Sequence, residues 1–112
     1  MTQTNHLLAI SLMLSCIRRI AVLERGIRNH DRELAAQLKQ AANSTVLNLS
    51  EGQGSTRGAR RARFENAHAS AKETRNALAC AAAWGYIELD AKLDDDLDHV
   101  AAMSWRLMHP RQ

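Results

Sequence analysis

Four arginines, Arg57, Arg60, Arg61 and Arg63, crowd one short stretch of the chain. Guanidiniums gathered this tightly suit phosphate, because each is permanently charged and presents a planar fork of donors that matches an oxyanion. The cluster follows Gly52-Gln53-Gly54-Ser55-Thr56, the clearest break in the sequence, and so sits at the start of a helix. That is the wrong end for cations: the helix dipole favours negative charge there, and each exposed cation costs up to about 1 kcal/mol. The same end offers unpaired backbone N–H groups, so a docked phosphate answers both the dipole and the guanidiniums. A second group is Arg18, Arg19, Arg25 and Arg28 on an earlier helix, of which Arg18, Arg25 and Arg28 are spaced seven and three residues apart and share one face. Only 4% of residues are aromatic, so the mode these cations suggest is sequence-tolerant contact with a nucleic-acid backbone rather than base stacking. The competing reading is a solvated basic face, neutralised by acidic residues of this chain, of a neighbouring copy or of an acidic partner.

Other constellations carry less. Glu65-x-x-His68 and Asp96-x-x-His99 have the spacing of a di-metal carboxylate bundle. Both histidines lie beside rather than within the apolar stripes, and such pairs arise by chance in charged helices. No nucleophile–base pair, phosphate loop or redox cysteine pair stands out. The sequence therefore leads us to expect no catalytic residue, no metal and no cofactor. Asn48 and Glu51, and Ser70 and Glu73, form two polar pairs bordering apolar stripes on consecutive helices. If those helices pack antiparallel, the pairs approach one another and fix the register of the hairpin, a structural polar cluster.

The elements that must position these residues are helical. Nineteen alanines and fourteen leucines stand against three valines and five isoleucines, with one proline and five glycines. That is helix-forming stock, and it cannot supply the turns of a sandwich or barrel. Apolar periodicity predicts four helices over about 5–29, 32–51, 57–84 and 88–109. The first carries the stripe Leu7, Ile10, Leu14, Ile17, Ala21 and Glu24, widened by Leu8, Leu12 and Val22. The second carries Leu34, Leu38, Ala41, Ala42, Thr45, Leu49 and Gly52, with Asp31 as N-cap. The third carries Phe64, Ala67, Ala71, Thr74, Leu78 and Ala81, and the fourth Leu89, Leu93, Leu97, Val100, Ser104 and Leu107. Gly52 suits a left-handed C-cap, Ser55 or Thr56 an N-cap, and Gly85 the stop of the third helix. Short loops between amphipathic helices give an all-α, antiparallel up-down-up-down four-helix bundle, a single domain over residues 1–112.

Charge divides this bundle. Residues 1–87 hold twelve Lys and Arg against six Asp and Glu, while residues 88–112 hold three against six. The first three helices are basic and the last is acidic, with Glu88, Asp90 and Asp94–Asp96 where a helix dipole favours them. Cys16 and Cys80 are too few for a disulfide framework and read as buried apolar residues in a reducing, cytoplasmic setting. The apolar run from Leu7 to Ile17 lacks the leading positive charge of a secretory signal and is too short to span a bilayer, so no membrane role is expected.

The stretch from Ala41 to Gly54, AANSTVLNLSEGQG, resembles the signature of the small bacterial four-helix-bundle family encoded by intervening sequences in 23S rRNA genes, relatives of the accessory variability protein (Avd) of diversity-generating retroelements. Ala67, Ser70, Glu73, Leu78 and Gly85-Tyr86-Ile87 follow its second pattern without a gap. The resemblance implies a non-enzymatic bundle assembled into a ring, typically a pentamer. In the retroelement branch it further implies nucleic-acid binding and docking onto a reverse transcriptase. An alanine-heavy interior gains limited burial per chain, which independently favours a homo-oligomer, and Trp84 and Trp105 are candidate interface anchors. The expectation is thus an oligomeric accessory protein binding RNA or DNA phosphates through Arg57, Arg60, Arg61 and Arg63, supported by Arg18, Arg25 and Arg28. The alternative is a protein-interaction scaffold with no nucleic-acid role.

Overall fold

The computed structural model describes residues 2–110, with side chains from residue 6 onward. Four helices follow in order: α1 (Thr2–His30), α2 (Arg32–Gln53), α3 (Arg57–Ala83) and α4 (Ala91–Met108). Each packs on its neighbours in sequence, and α1 closes against α4, so the four form the sides of an antiparallel bundle measuring 45 × 23 × 18 Å. Among the described residues there is no strand. The fold class read from the sequence is the one observed.

Local chemistry sets the joints. Asp31 alone separates α1 from α2; its extended backbone and its Oδ1, which accepts from the Leu34 N–H at 2.9 Å, start α2 as the sequence implies. At the end of α3, Gly85 takes φ +81°, while the Tyr86 N–H donates to Ala81 O and the Gly85 N–H to Ala82 O. This paired closure needs a left-handed residue and gets a glycine. Gly52 behaves otherwise. It lies inside α2 and is not a left-handed cap; Gly54, with φ −84°, ends the helix. Thr56 begins α3 without a side-chain cap bond, and Ser55 Oγ instead donates to Glu51 O at 2.8 Å. Helix α4 starts at Ala91 rather than near Glu88, because the Asp90 carboxylate accepts from the Lys92 and Leu93 N–H groups and fixes the boundary there.

The buried stripes of α2, α3 and α4 match the periodicity, with Ala35, Ala77, Ala101, Met103 and Met108 added and Leu34 and Leu89 only half-buried. The face of α1 does not match. It buries Ala9, Met13, Cys16, Ile20 and Ile27, whereas Leu7, Leu8, Leu14, Ala21 and Val22 are exposed. Ile10, Ile17 and Glu24 are half-buried at its edge. By length and composition α1 is apolar enough over His6–His30 to cross a membrane, but its buried stripe is packed into the bundle. Three hydroxyls in the core, those of Thr45, Thr74 and Ser104, donate to the carbonyls of Ala41, Ser70 and Val100 one turn earlier, so none is left unsatisfied. Cys16 is buried, which pushes its thiol pKa up, but Cys80 is exposed, contrary to its reading as a core residue.

Candidate nucleic-acid interface

The α2–α3 hairpin places the arginine cluster on the first two turns of α3, which carry no acidic residue in the first turn. Arg57 and Arg61 are exposed and have no ion pair among the described residues. The half-buried Arg60 lays its guanidinium 5.5 Å from the centroid of the fully buried Phe64 ring and so covers the core at this end. Arg63 is bridged: its Nη1 meets Glu51 Oε2 at 2.9 Å across the hairpin. The four residues therefore divide into two open cations, one lid over the core and one cross-helix tie.

The acidic helix does not reach them. Arg75 of α3 forks onto Asp94 at 2.8 and 3.0 Å and also meets Asp98 at 3.1 Å. Arg19 of α1 meets Asp96 at 2.7 Å, with Lys92 on the same carboxylate. The Arg75 guanidinium holds the Asp94 carboxyl below the ordinary carboxylate range, Arg19 does the same for Asp96, and Asp94 raises Arg75 in return. These contacts fix the level of the helices: the acidic half of α4 lies beside the C-terminal half of α3. The cluster of Arg57 to Arg63 lies at the far end, near the start of α1, where buried His6 donates to Leu49 O and tilts against the Phe64 ring.

The second basic group is not part of that surface. Arg25 and Arg28 lie about 30 Å further along α1 at 1.5 Å per residue, at the opposite end of the bundle. Arg18 is exposed between the two ends. Arg25 and Arg28 instead join Arg32 and Lys39 of α2 around a groove of about 680 Å³ in which Glu24, 3.4 Å from Arg28, is the one lining carboxylate. Arg32 and Lys39 count toward the basic charge of residues 1–87, but no local pattern groups them with Arg25 and Arg28. Their spacing of seven puts them on one face of α2, and the one-residue link at Asp31 turns that face toward Arg25 and Arg28.

The structural polar cluster forms in part. Ser44 and Ser70 hydroxyls meet at 2.9 Å, and Asn48 Nδ2 donates to Ser44 O at 2.9 Å and Ser44 Oγ at 3.0 Å. Ser44 is thus the residue that links Asn48 to Ser70, seven residues from Glu51 just as Ser70 is seven from Arg63. The two cross-hairpin contacts repeat one layer apart and fix the register. Glu73 is exposed and joins none of this network. The remaining metal-like spacings are spent elsewhere: His68 Nδ1 donates to Ala101 O at 2.8 Å, Asp96 is bound to Arg19 and Lys92, and Glu65 and His99 are exposed. Among the described residues no three His, Cys, Asp or Glu side chains converge.

A bundle whose helix hairpin is pinned through Ser44, Asn48, Glu51 and Ser70, with exposed cations toward both ends, defines a small all-α four-helix protein. The model of the 23S rRNA-intervening sequence protein family matches residues 8–106, and the chain belongs to that family. No curated protein and no solved structure matches it.

Proposed function

We propose that this protein is a non-enzymatic, oligomeric accessory factor that binds RNA or DNA phosphates through its open arginines, and that the partner it serves is a nucleic-acid enzyme of the retroelement reverse-transcriptase class. One observation carries the nucleic-acid reading. Arg57 and Arg61 have no ion-pair partner among the described residues on the first turns of α3, against its dipole, while the acidic helix α4 pairs with Arg19 and Arg75 elsewhere. Folding alone gives no reason for that placement, and a polyanion does. The choice of a reverse transcriptase rests on the resemblance to Avd alone.

Binding to a generic duplex and to RNA, titrated with salt, tests the proposal. Affinity falls steeply with salt, and Arg57→Ala with Arg61→Ala flattens the slope by about two counterions. A protein that binds neither nucleic acid at low salt overturns it. A second reading, the protein-interaction scaffold, is favoured by Leu7, Leu8, Leu14 and Val22, which are 39–80% exposed on α1. It predicts salt-insensitive self-association that Leu7→Asp with Leu14→Asp abolishes, and no nucleic-acid binding.

A further inference from the structure

A groove of about 490 Å³ follows the seam between α3 and α4. His68 and Lys72 form one wall, Trp105 and Arg106 the other, and the methyl groups of Ala101 and Ala102 leave the space between them open. The hydrogen bond from His68 to Ala101 O fixes the levels. Lys72 lies one turn up α3 from that bond and Trp105 one turn down α4, so the groove runs about 11 Å between them. At its upper end Arg75 and Asp98 satisfy one another. Lys72 and Arg106 are exposed and have no carboxylate partner among the described residues. Trp105 is 48% exposed and stacks against His109 with ring centroids 4.1 Å apart. An indole with one uncommitted cation beside it and a second at the other end of the slot offers what one nucleotide needs: a flat π surface for the base and positive charge for its phosphates. The same face of α3 carries Arg57, Arg61, Glu65, His68 and Lys72 at helical spacing, so a mainly basic line with one carboxylate in it leads from the open arginines to the groove.

We propose that the α3–α4 groove receives a nucleotide unit of a single-stranded nucleic acid, its base on Trp105 and its phosphates on Lys72 and Arg106, with the strand running on past Arg61 and Arg57. The proposal rests on the phosphate-binding reading above and adds to it a preference for strands whose bases are unpaired. A duplex keeps its bases stacked inside and gains only the arginine contacts.

Trp84 is the one other tryptophan, so in Trp84→Phe protein the selectively excited tryptophan emission, as distinct from that of Tyr86, reports Trp105 alone. Oligothymidylate, a blunt duplex of equal length and thymidine monophosphate serve as probes. The strand quenches the indole and the duplex does not. Trp105→Ala weakens strand binding about tenfold, Trp105→Phe restores most of it, and duplex affinity is unchanged in both. Quenching by the monophosphate at the same site places a free nucleotide in the groove; quenching by the strand alone assigns it to polymer. Thermal melting of each variant separates lost folding from lost binding. The groove proposal is overturned if Trp105→Ala leaves strand affinity unchanged, lowers strand and duplex affinity equally, or changes the sedimentation coefficient, which would make Trp105 a subunit contact. Failure of every probe to bind wild-type protein overturns the phosphate-binding reading itself, whereas duplex binding without the tryptophan effect overturns the groove alone.

Discussion

Gly52 and Gly58 sit either side of the same turn and ask opposite things of one substitution. A Cβ on Gly52 would lie 2.5 Å from the Phe64 ring, which is fully buried and covered by Arg60. The glycine is there because two helices approach until a ring fills the space of a side chain, and a ring closed in on all sides cannot step back. A Cβ on Gly58 meets nothing within 4 Å, on an exposed helical turn. Gly52→Ala therefore destabilises by about 1–3 kcal/mol through overpacking, in spite of alanine's better helix propensity. Gly58→Ala stabilises by about 0.5–1 kcal/mol because that propensity acts unopposed. Urea unfolding of both variants checks the pair, and a gain at Gly52 would refute the packing argument. The sequence alone suggested a left-handed cap at Gly52, since Gly-x-Gly punctuation is local and visible whereas the ring that excludes the Cβ comes from the next helix.

At the scale of the helix, α2, α3 and α4 were legible because each has one apolar stripe and polar residues elsewhere. The first half of α1 is apolar on nearly every side, so a 3.6-residue period fits two faces equally well. Arg18, Arg25 and Arg28 held the answer: Leu7, Leu14 and Ala21 lie on their face, which is the solvent face, and the buried stripe is Met13, Cys16 and Ile20. Met13→Ala is accordingly expected to lose about 2–5 kcal/mol as a core truncation. Val22→Ser, at 80% exposure, stays within about 0.5 kcal/mol. Denaturant midpoints of the two distinguish the faces directly. The site was legible to a similar degree: the arginines were evident, but which of them is open depends on Glu51, Phe64 and the level at which α4 lies, and none of these is encoded nearby in sequence.

The same α4 carboxylates give the bundle a pH dependence. Asp94 and Asp96 titrate below their ordinary range in the folded state, because Arg75 and Arg19 bind the ionised forms. A group whose folded pKa is depressed adds stability that is complete above its unfolded pKa of about 3.9 and is lost as pH falls through the folded value. Stability should hold from neutrality to about pH 5 and decline below about pH 4. Asp94→Asn with Asp96→Asn lowers neutral-pH stability and makes the acid decline shallower, which helical circular dichroism from pH 7 to pH 2 measures. An unchanged acid limb would show that the α1–α4 and α3–α4 ion pairs contribute nothing to it.

Across the whole molecule, charge is distributed along the long axis in a way neither cluster reveals alone. One end carries Arg57 and Arg61 and the other Arg25, Arg28 and Arg32, separated by the length of α2, about 30 Å at 1.5 Å per residue, with Lys39 two turns in from the second end. A polyanion on one subunit can reach both only by running the length of the bundle, and an assembly can engage each end with a different strand. In either case the two ends share no partner and lie well beyond the distance at which substitutions couple, so their effects on binding should add. Arg57→Ala with Arg61→Ala, and separately Arg25→Ala with Arg32→Ala, each flatten the dependence of duplex affinity on salt by about two counterions, and the quadruple variant flattens it by about four. If the second pair leaves the slope untouched, the α1–α2 groove is a solvated basic face and the polyanion is held at the α3 end alone. If the quadruple variant falls no further than the first pair, the two ends belong to one surface, formed only when neighbouring subunits bring opposite ends of the bundle together.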